Sequence, residues 1–164
     1  MVMFAKKNSM SILKSWSAFV LVFSLTFFGC RKDHEEMCET QTIKIAALLS
    51  KTGEWSTLGI TSEAALQIGI QEINQDFENR ELPYRFELSV FDTELVPSIA
   101  LQKMEYLASN NFKMVVGPQS SSEMAAVKSI ADSLGILVVS QGSTASSLSI
   151  ANDALYRYVP GDQI

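Results

Sequence analysis

Between residues 42 and 159 the chain alternates short apolar, β-branched runs with longer stretches whose apolar residues recur every three or four positions. Strands that are apolar along their whole length need cover on both faces. Strand–helix–strand crossovers supply that cover over a parallel sheet. Residues 42–49 (TIKIAALL), 84–91 (YRFELSVF), 114–116 (MVV), 136–139 (ILVV) and 156–159 (YRYV) read as strands. The expected fold class is α/β: a doubly wound parallel sheet of about five strands with helices on both faces.

The intervening stretches read as helices. In 58–77, Leu66, Ile70, Ile73 and Phe77 form one stripe, while Ile60, Ala64 and Ile68 form a second. Two stripes predict a helix covered on two sides, and Ala65 and Gly69 suit close approach to a sheet. Pro97 fits the first turn of the next helix, where a missing N–H costs nothing. Ala100, Met104, Leu107 and Ala108 share its apolar face, and Asn110 and Asn111 end it. Ser120 and Glu123 have capping-box spacing for a third helix. Its apolar face is Ala126, Val127, Ile130, Ala131 and Leu134, and Gly135 suits its end.

Ahead of this region lies a different kind of segment. Residues 16–30 (WSAFVLVFSLTFFGC) follow Lys6, Lys7 and Lys14 and precede a charged stretch. A basic start, an apolar core of about 7–15 residues and a small residue before the cut describe a secretory signal. The Gly29-Cys30 junction resembles a bacterial lipoprotein signal, although Phe27 and Phe28 depart from its usual pattern. The expected organisation is a signal at 1–29, lipid on Cys30, a tether at 30–41 and a ligand-binding lobe at 42–164. An ordinary signal peptide or an uncleaved anchor are the alternatives, and all three place the remainder outside the cytoplasm. Without the three signal lysines, ten Lys and Arg face eighteen Asp and Glu, a net charge of −8. That balance argues against nucleic acid as a partner. Cys38 would have no disulfide partner if Cys30 carries lipid. His34 is the chain's single histidine. With Asp33, Glu35 and Glu36 it reads as part of a solvated tether rather than a metal site.

Enzyme signatures are scarce. The chain has no G-x-x-x-x-G-K-[ST], no G-x-G-x-x-G after the first strand and no G-x-S-x-G elbow. A Ser-His-Asp triad would have to use His34. Glu54, Asp92, Glu94 and Glu123 are scattered, and Glu123 is better explained as a cap. No catalytic residue, cofactor or metal is expected. Three loops that follow strands are instead rich in small polar residues: 51–57 (KTGEWST), 117–122 (GPQSSS) and 141–146 (QGSTAS). In a doubly wound sheet, ligands bind beyond the carboxyl ends of the strands. Helix N-termini there favour anions. The three loops predict a neutral, donor-rich cradle for a carboxylate or a polar small molecule.

Residues 43–74 (IKIAALLSKTGEWSTLGITSEAALQIGIQEIN), 86–149 and 156–162 (YRYVPGD) resemble type I periplasmic binding proteins of the branched-chain amino-acid-binding kind. The resemblance implies a solute-binding lipoprotein lobe that captures an amino acid or similar solute for an ABC importer. Gly117 matches the family's glycine after strand three, and Ser121 its ligand-binding serine. Gln119 and Ser120 lie on the same contact stretch. Gly142 and Thr144 match the small residue and threonine after strand four, with Ser143 between them. The first loop of the family carries an aromatic just before a glycine. Here Leu58 precedes Gly59 and the aromatic is Trp55, which leaves the side-chain pocket undefined. Asp92 matches a recurrent aspartate read as structural or peripheral. The resemblance further implies a second lobe, so this span is expected to be half a clamshell that binds no amino acid at micromolar concentration alone. The same lobes serve in sensory receptors, where the second stripe of the first helix would be a dimer face. An exported α/β enzyme is the reading from another class.

Overall fold

The computed structural model describes residues 39–162. Cys30 and the signal segment lie outside them, as does all but the last part of the tether. Five strands and three helices alternate: β1 (Gln41–Leu49), α1 (Ser56–Asn79), β2 (Tyr84–Asp92), α2 (Pro97–Ser109), β3 (Met114–Val116), α3 (Ser121–Leu134), β4 (Leu137–Ser140) and β5 (Leu155–Arg157). A 3₁₀ turn occupies Ser146–Leu148. Every pairing is parallel, and the spatial order is β2-β1-β3-β4-β5. The expected fold class holds.

The strand order places the helices. The step from β1 to β2 runs one way across the sheet; the steps from β2 to β3 to β4 run the other way. Right-handed crossovers therefore put α1 on one face and α2 with α3 on the opposite face. Ala46 and Leu48 of β1, Val115 of β3 and Val138 of β4 point toward α2 and α3. There they meet Ala100, Met104, Leu107, Met124, Val127 and Ala131. Leu48, Met104, Leu107 and Met124 are fully buried, and each such side chain stabilises the fold by about 1.5–3 kcal/mol relative to exposure. On the other face, α1 lies over β1 and β2. The Phe77 ring packs 5.6 Å from that of Phe86. The Asn74 carboxamide pairs with the Phe86 backbone, donating to its carbonyl at 2.9 Å and accepting from its N–H at 2.8 Å. Asn74 thus satisfies backbone groups of an edge strand.

Three expectations change in detail. α1 is covered on one side rather than two: Ile60 and Ile68 are 55% and 59% exposed, and Ile73 also faces solvent. The second stripe has no partner among the described residues. β5 begins earlier than expected. Leu155 is its buried residue, while Tyr156 and Tyr158 are exposed. On α3, Leu134 is exposed, and Met124, nearer the start of the helix, takes a place in the core.

The start of α3 is as its sequence predicts. Ser120 Oγ accepts from Glu123 N at 3.3 Å, and the Glu123 carboxylate accepts from Ser120 N at 3.2 Å. Gly135 closes the helix at φ 61°.

Candidate ligand site

Strand order reverses between β1 and β3. The crevice beyond their carboxyl ends is the topological switch point, where ligands of this architecture bind. The loops after β1, β3 and β4 meet there. Their closeness is visible at the glycines. A Cβ on Gly117 would stand 2.0 Å from Leu48 O, and Gly117 has φ +85°. A Cβ on Gly59 would stand 2.0 Å from Ser50 O, and one on Gly142 would stand 2.6 Å from Gln119 O. Gly117, followed by a cis peptide to Pro118, admits the β3 loop against β1. Gly142 admits the β4 loop against the β3 loop.

Gln119 ties the floor of the crevice together. It is fully buried; its Oε1 accepts from Ser50 N at 2.9 Å and its Nε2 donates to Ser62 Oγ at 3.3 Å. Gln141 Nε2 reaches the same hydroxyl at 3.4 Å. The side chain of Gln119 is turned inward, toward β1 and α1, and Ser120 is committed to the capping box. These two expected contact residues are occupied by the scaffold.

Ser121 and Ser143 come together as expected. Their hydroxyls are 3.0 Å apart, and Ser121 Oγ also accepts from Ala145 N at 3.2 Å. Buried Ser140 organises the turn beneath. It donates to Pro118 O at 2.6 Å and accepts from the N–H groups of Gly142 and Ser143 at 3.3 and 3.1 Å. Gly142 and Thr144 flank Ser143 in that turn. Among the described residues, the backbone N–H groups of Ser121, Ser122 and Thr144 have no acceptor. Two of them open α3, a helix of 14 residues. Glu123, buried in the first turn, offsets part of the dipole there. The Ser121 and Ser143 hydroxyls stand beside these N–H groups, a donor set of the kind that favours an anion.

The first loop is braced from β2. Asp92 Oδ1 accepts from Lys51 N and Glu94 N, each at 2.9 Å, and from Thr52 N at 3.3 Å; Oδ2 accepts from Thr52 Oγ1 at 2.8 Å. Burial by itself would raise the pKa of Asp92. The bonds from Glu94, Thr52 and Lys51 outweigh it and hold the carboxyl below the ordinary aspartate range. Lys51 Nζ is paired with Glu63 at 2.8 Å. Trp55 stands at the start of α1, half-buried, and Leu58 lies exposed on its first turn. Neither is hydrogen-bonded to the serine pair.

Sequence reasoning missed Ser140 and Arg157 at this site. Ser140 carried one signal, a hydroxyl ending an apolar strand. Arg157 carried none beyond being the single charge in its strand. A depression of about 580 Å³ between α1 and β2 is lined by Gln67, Ile70, Asn74, Phe86 and Leu88, away from the strand ends. Asn74 is already engaged there with the edge strand. No group of three or more His, Cys, Asp or Glu is arranged to hold a metal among the described residues. No helix among them is long and apolar enough to cross a membrane.

Comparison with known proteins agrees with this architecture. The family model of the receptor family ligand binding region matches residues 61–163, more than half of the chain. Uncharacterized protein MJ1266 of Methanocaldococcus jannaschii is 29% identical over 159 residues, which is 90% of this chain and 38% of that protein. The substrate-binding protein LivJ of Streptococcus pneumoniae, solved with isoleucine, superposes with a TM-score of 0.68 at 23% identity over 74% of this chain and 35% of its own. A solute-binding protein of an ABC transporter from Rhodopseudomonas palustris BisB5, solved with 3,4-dihydroxybenzoic acid, gives a TM-score of 0.63 at 13% identity over 73% of this chain and 32% of its own. The chain thus spans well under half the length of the relatives it matches. The chain belongs to the receptor ligand-binding-region family and has the fold of the N-terminal lobe of a type I periplasmic binding protein.

Proposed function

We propose that this chain is the N-terminal lobe of an extracytoplasmic solute-binding protein, and that it takes the carboxylate of a small, amino-acid-like solute for an ABC importer. The observation that carries this reading is the Ser121–Ser143 hydroxyl pair at the mouth of α3, beside the free N–H groups of Ser121, Ser122 and Thr144. Those groups offer donors at one point, and a carboxylate is the acceptor that uses them best. Isoleucine and 3,4-dihydroxybenzoate, bound by two structural neighbours, share a carboxylate and little else. That common group supports a carboxylate-reading lobe whose second half sets the rest of the selectivity. Trp55 and Leu58 supply the apolar rim. The chemistry is recognition, with no covalent step. Binding to the two-lobed protein should discriminate L-leucine from L-leucinamide by tenfold or more by calorimetry, because the amide forfeits charge-assisted bonds. Equal affinity for the two would remove the reading.

Lipid attachment at Cys30 completes the proposal, by keeping the lobe near a membrane permease. Labelling with a palmitate analogue in cells should mark the wild type and not Cys30→Ser; equal labelling of both would exclude the anchor. A sensory lobe is the second reading, favoured by the exposed Ile60 and Ile68 on α1. It uses the same crevice and differs in having a partner on that stripe.

A further inference from the structure

The segment that follows β4's loop in the chain also holds that loop in place. Arg157 of β5 donates through Nη1 to Ala145 O at 2.7 Å and to Ser143 O at 3.4 Å. Its Nη2 donates to Ser149 Oγ. Five residues on, Asp162 N donates to Thr144 O at 3.0 Å. Tyr158 N donates to Ser140 O at 3.4 Å, which secures the start of the same turn. The carbonyls of Ser143, Thr144 and Ala145 are therefore all engaged by residues 157–162. A guanidinium is well matched to these acceptors. Its planar fork reaches two carbonyls and a hydroxyl at once.

We propose that Arg157, with the backbone of Asp162, is the positioning element of the crevice, fixing the Ser143–Thr144 turn by occupying its three consecutive carbonyls. The turn then keeps the Ser143 hydroxyl within reach of Ser121 before any ligand arrives, so less ordering is left for binding to provide. With its acceptors engaged, the turn also presents the Thr144 N–H and the hydroxyls to the crevice. Its free N–H and hydroxyl donors favour the anionic end of a solute. This selectivity rests on the carboxylate reading above; the pre-ordering of the turn does not.

The test is amide hydrogen exchange on the full chain without ligand. In Arg157→Gln, amides in 142–149 should exchange about tenfold faster, the effect of losing charge-assisted bonds that close a local turn. Amides of β1, α2 and α3 should keep their wild-type rates. Arg157→Lys should restore part of the protection, since a single ammonium can reach Ala145 O but cannot fork. Asp162→Pro removes the N–H to Thr144 O at an exposed position, along with the carboxylate and the freedom of φ there, and should loosen the same turn to a smaller degree. Wild-type exchange of 142–149 in Arg157→Gln would overturn the proposal. So would uniform acceleration across the whole chain in Arg157→Gln with Asp162→Pro unchanged, because Arg157 would then support the fold and not the turn. Neither result depends on whether a carboxylate binds.

Discussion

Replacing glycine by alanine should have opposite effects at two positions of this lobe. At Gly117 the added Cβ would stand 2.0 Å from Leu48 O and 3.1 Å from Leu48 C, both backbone atoms near the carboxyl end of β1, a strand paired on both sides. Neither can move without shifting β1. The backbone there has φ +85°, which costs an L-residue about 1–2 kcal/mol. Forced displacement of a packed core adds about 1–3 kcal/mol. The sum, about 2–5 kcal/mol, is a large share of the roughly 5–15 kcal/mol that holds a domain together. At Gly69, midway along α1, nothing lies within 4 Å of the added carbon. The helix gains the propensity difference between alanine and glycine, about 0.5–1 kcal/mol. Urea unfolding of the two variants should show midpoints displaced in opposite directions at unchanged m. The close approach of β3's loop to β1 would be refuted if Gly117→Ala unfolded within about 1 kcal/mol of wild type. A clear loss at Gly69→Ala would show that α1 is covered on the side that the structure leaves open.

Asp92 has its folded pKa below the ordinary value of 3.8. Its contribution to stability is present above that value and is lost as pH falls through the lowered one. Asp92→Asn should therefore be less stable at neutral pH and show a shallower loss on acidification below about pH 4; an acid limb unchanged in steepness would contradict the brace. Asn74→Ala leaves Phe86 N–H and C=O unpaired at the sheet edge and should cost about 1–3 kcal/mol by thermal or urea unfolding; a neutral result would mean that water replaces the carboxamide. Ile60→Asp and Ile68→Asp should change stability by less than about 0.5 kcal/mol, as exposed positions do. Sedimentation of the same variants separates the two functional readings, since loss of a wild-type dimer favours the sensory lobe and a monomer throughout favours transport.

Local features were legible in the sequence, and features built from distant residues were not. The capping box of α3 spans four residues and could be read directly from Ser120 and Glu123. β1 announced itself because its second half is buried on both faces, whereas β3 and β4 were legible as unbroken apolar runs although only one face, at Val115 and Val138, is packed into the core. β5 was displaced because Tyr156 and Tyr158 look like strand residues, yet they face solvent and Leu155 does the packing. The two stripes of α1 suggested two covered sides, but periodicity records which residues share a face, not whether anything lies against it. At the site, the resemblance and the polar loops together pointed to Ser121, Gly142, Ser143 and Thr144, and these do converge. Gln119 was visible as a residue of the right loop, but its partner Ser50 is 69 positions away, and only the order β2-β1-β3 brings them together. Ser140 bonds to a residue 22 positions back, and Arg157 to one 12 positions back. No spacing rule links such pairs.

If the mouth of α3 and the turn after β4 read a carboxylate, their amides must respond to one. The most direct measurement is an amide NMR titration of the 164-residue chain with L-leucine at millimolar concentration, repeated with L-leucinamide. A single lobe is expected to bind weakly, and chemical shifts report such binding site by site. Saturable shifts confined to the amides of Ser121, Ser122, Ser143 and Thr144 are expected with the acid, much weaker shifts with the amide, and loss of the response in Ser121→Ala. No shift at these amides, or the same shifts with acid and amide, would contradict the carboxylate reading.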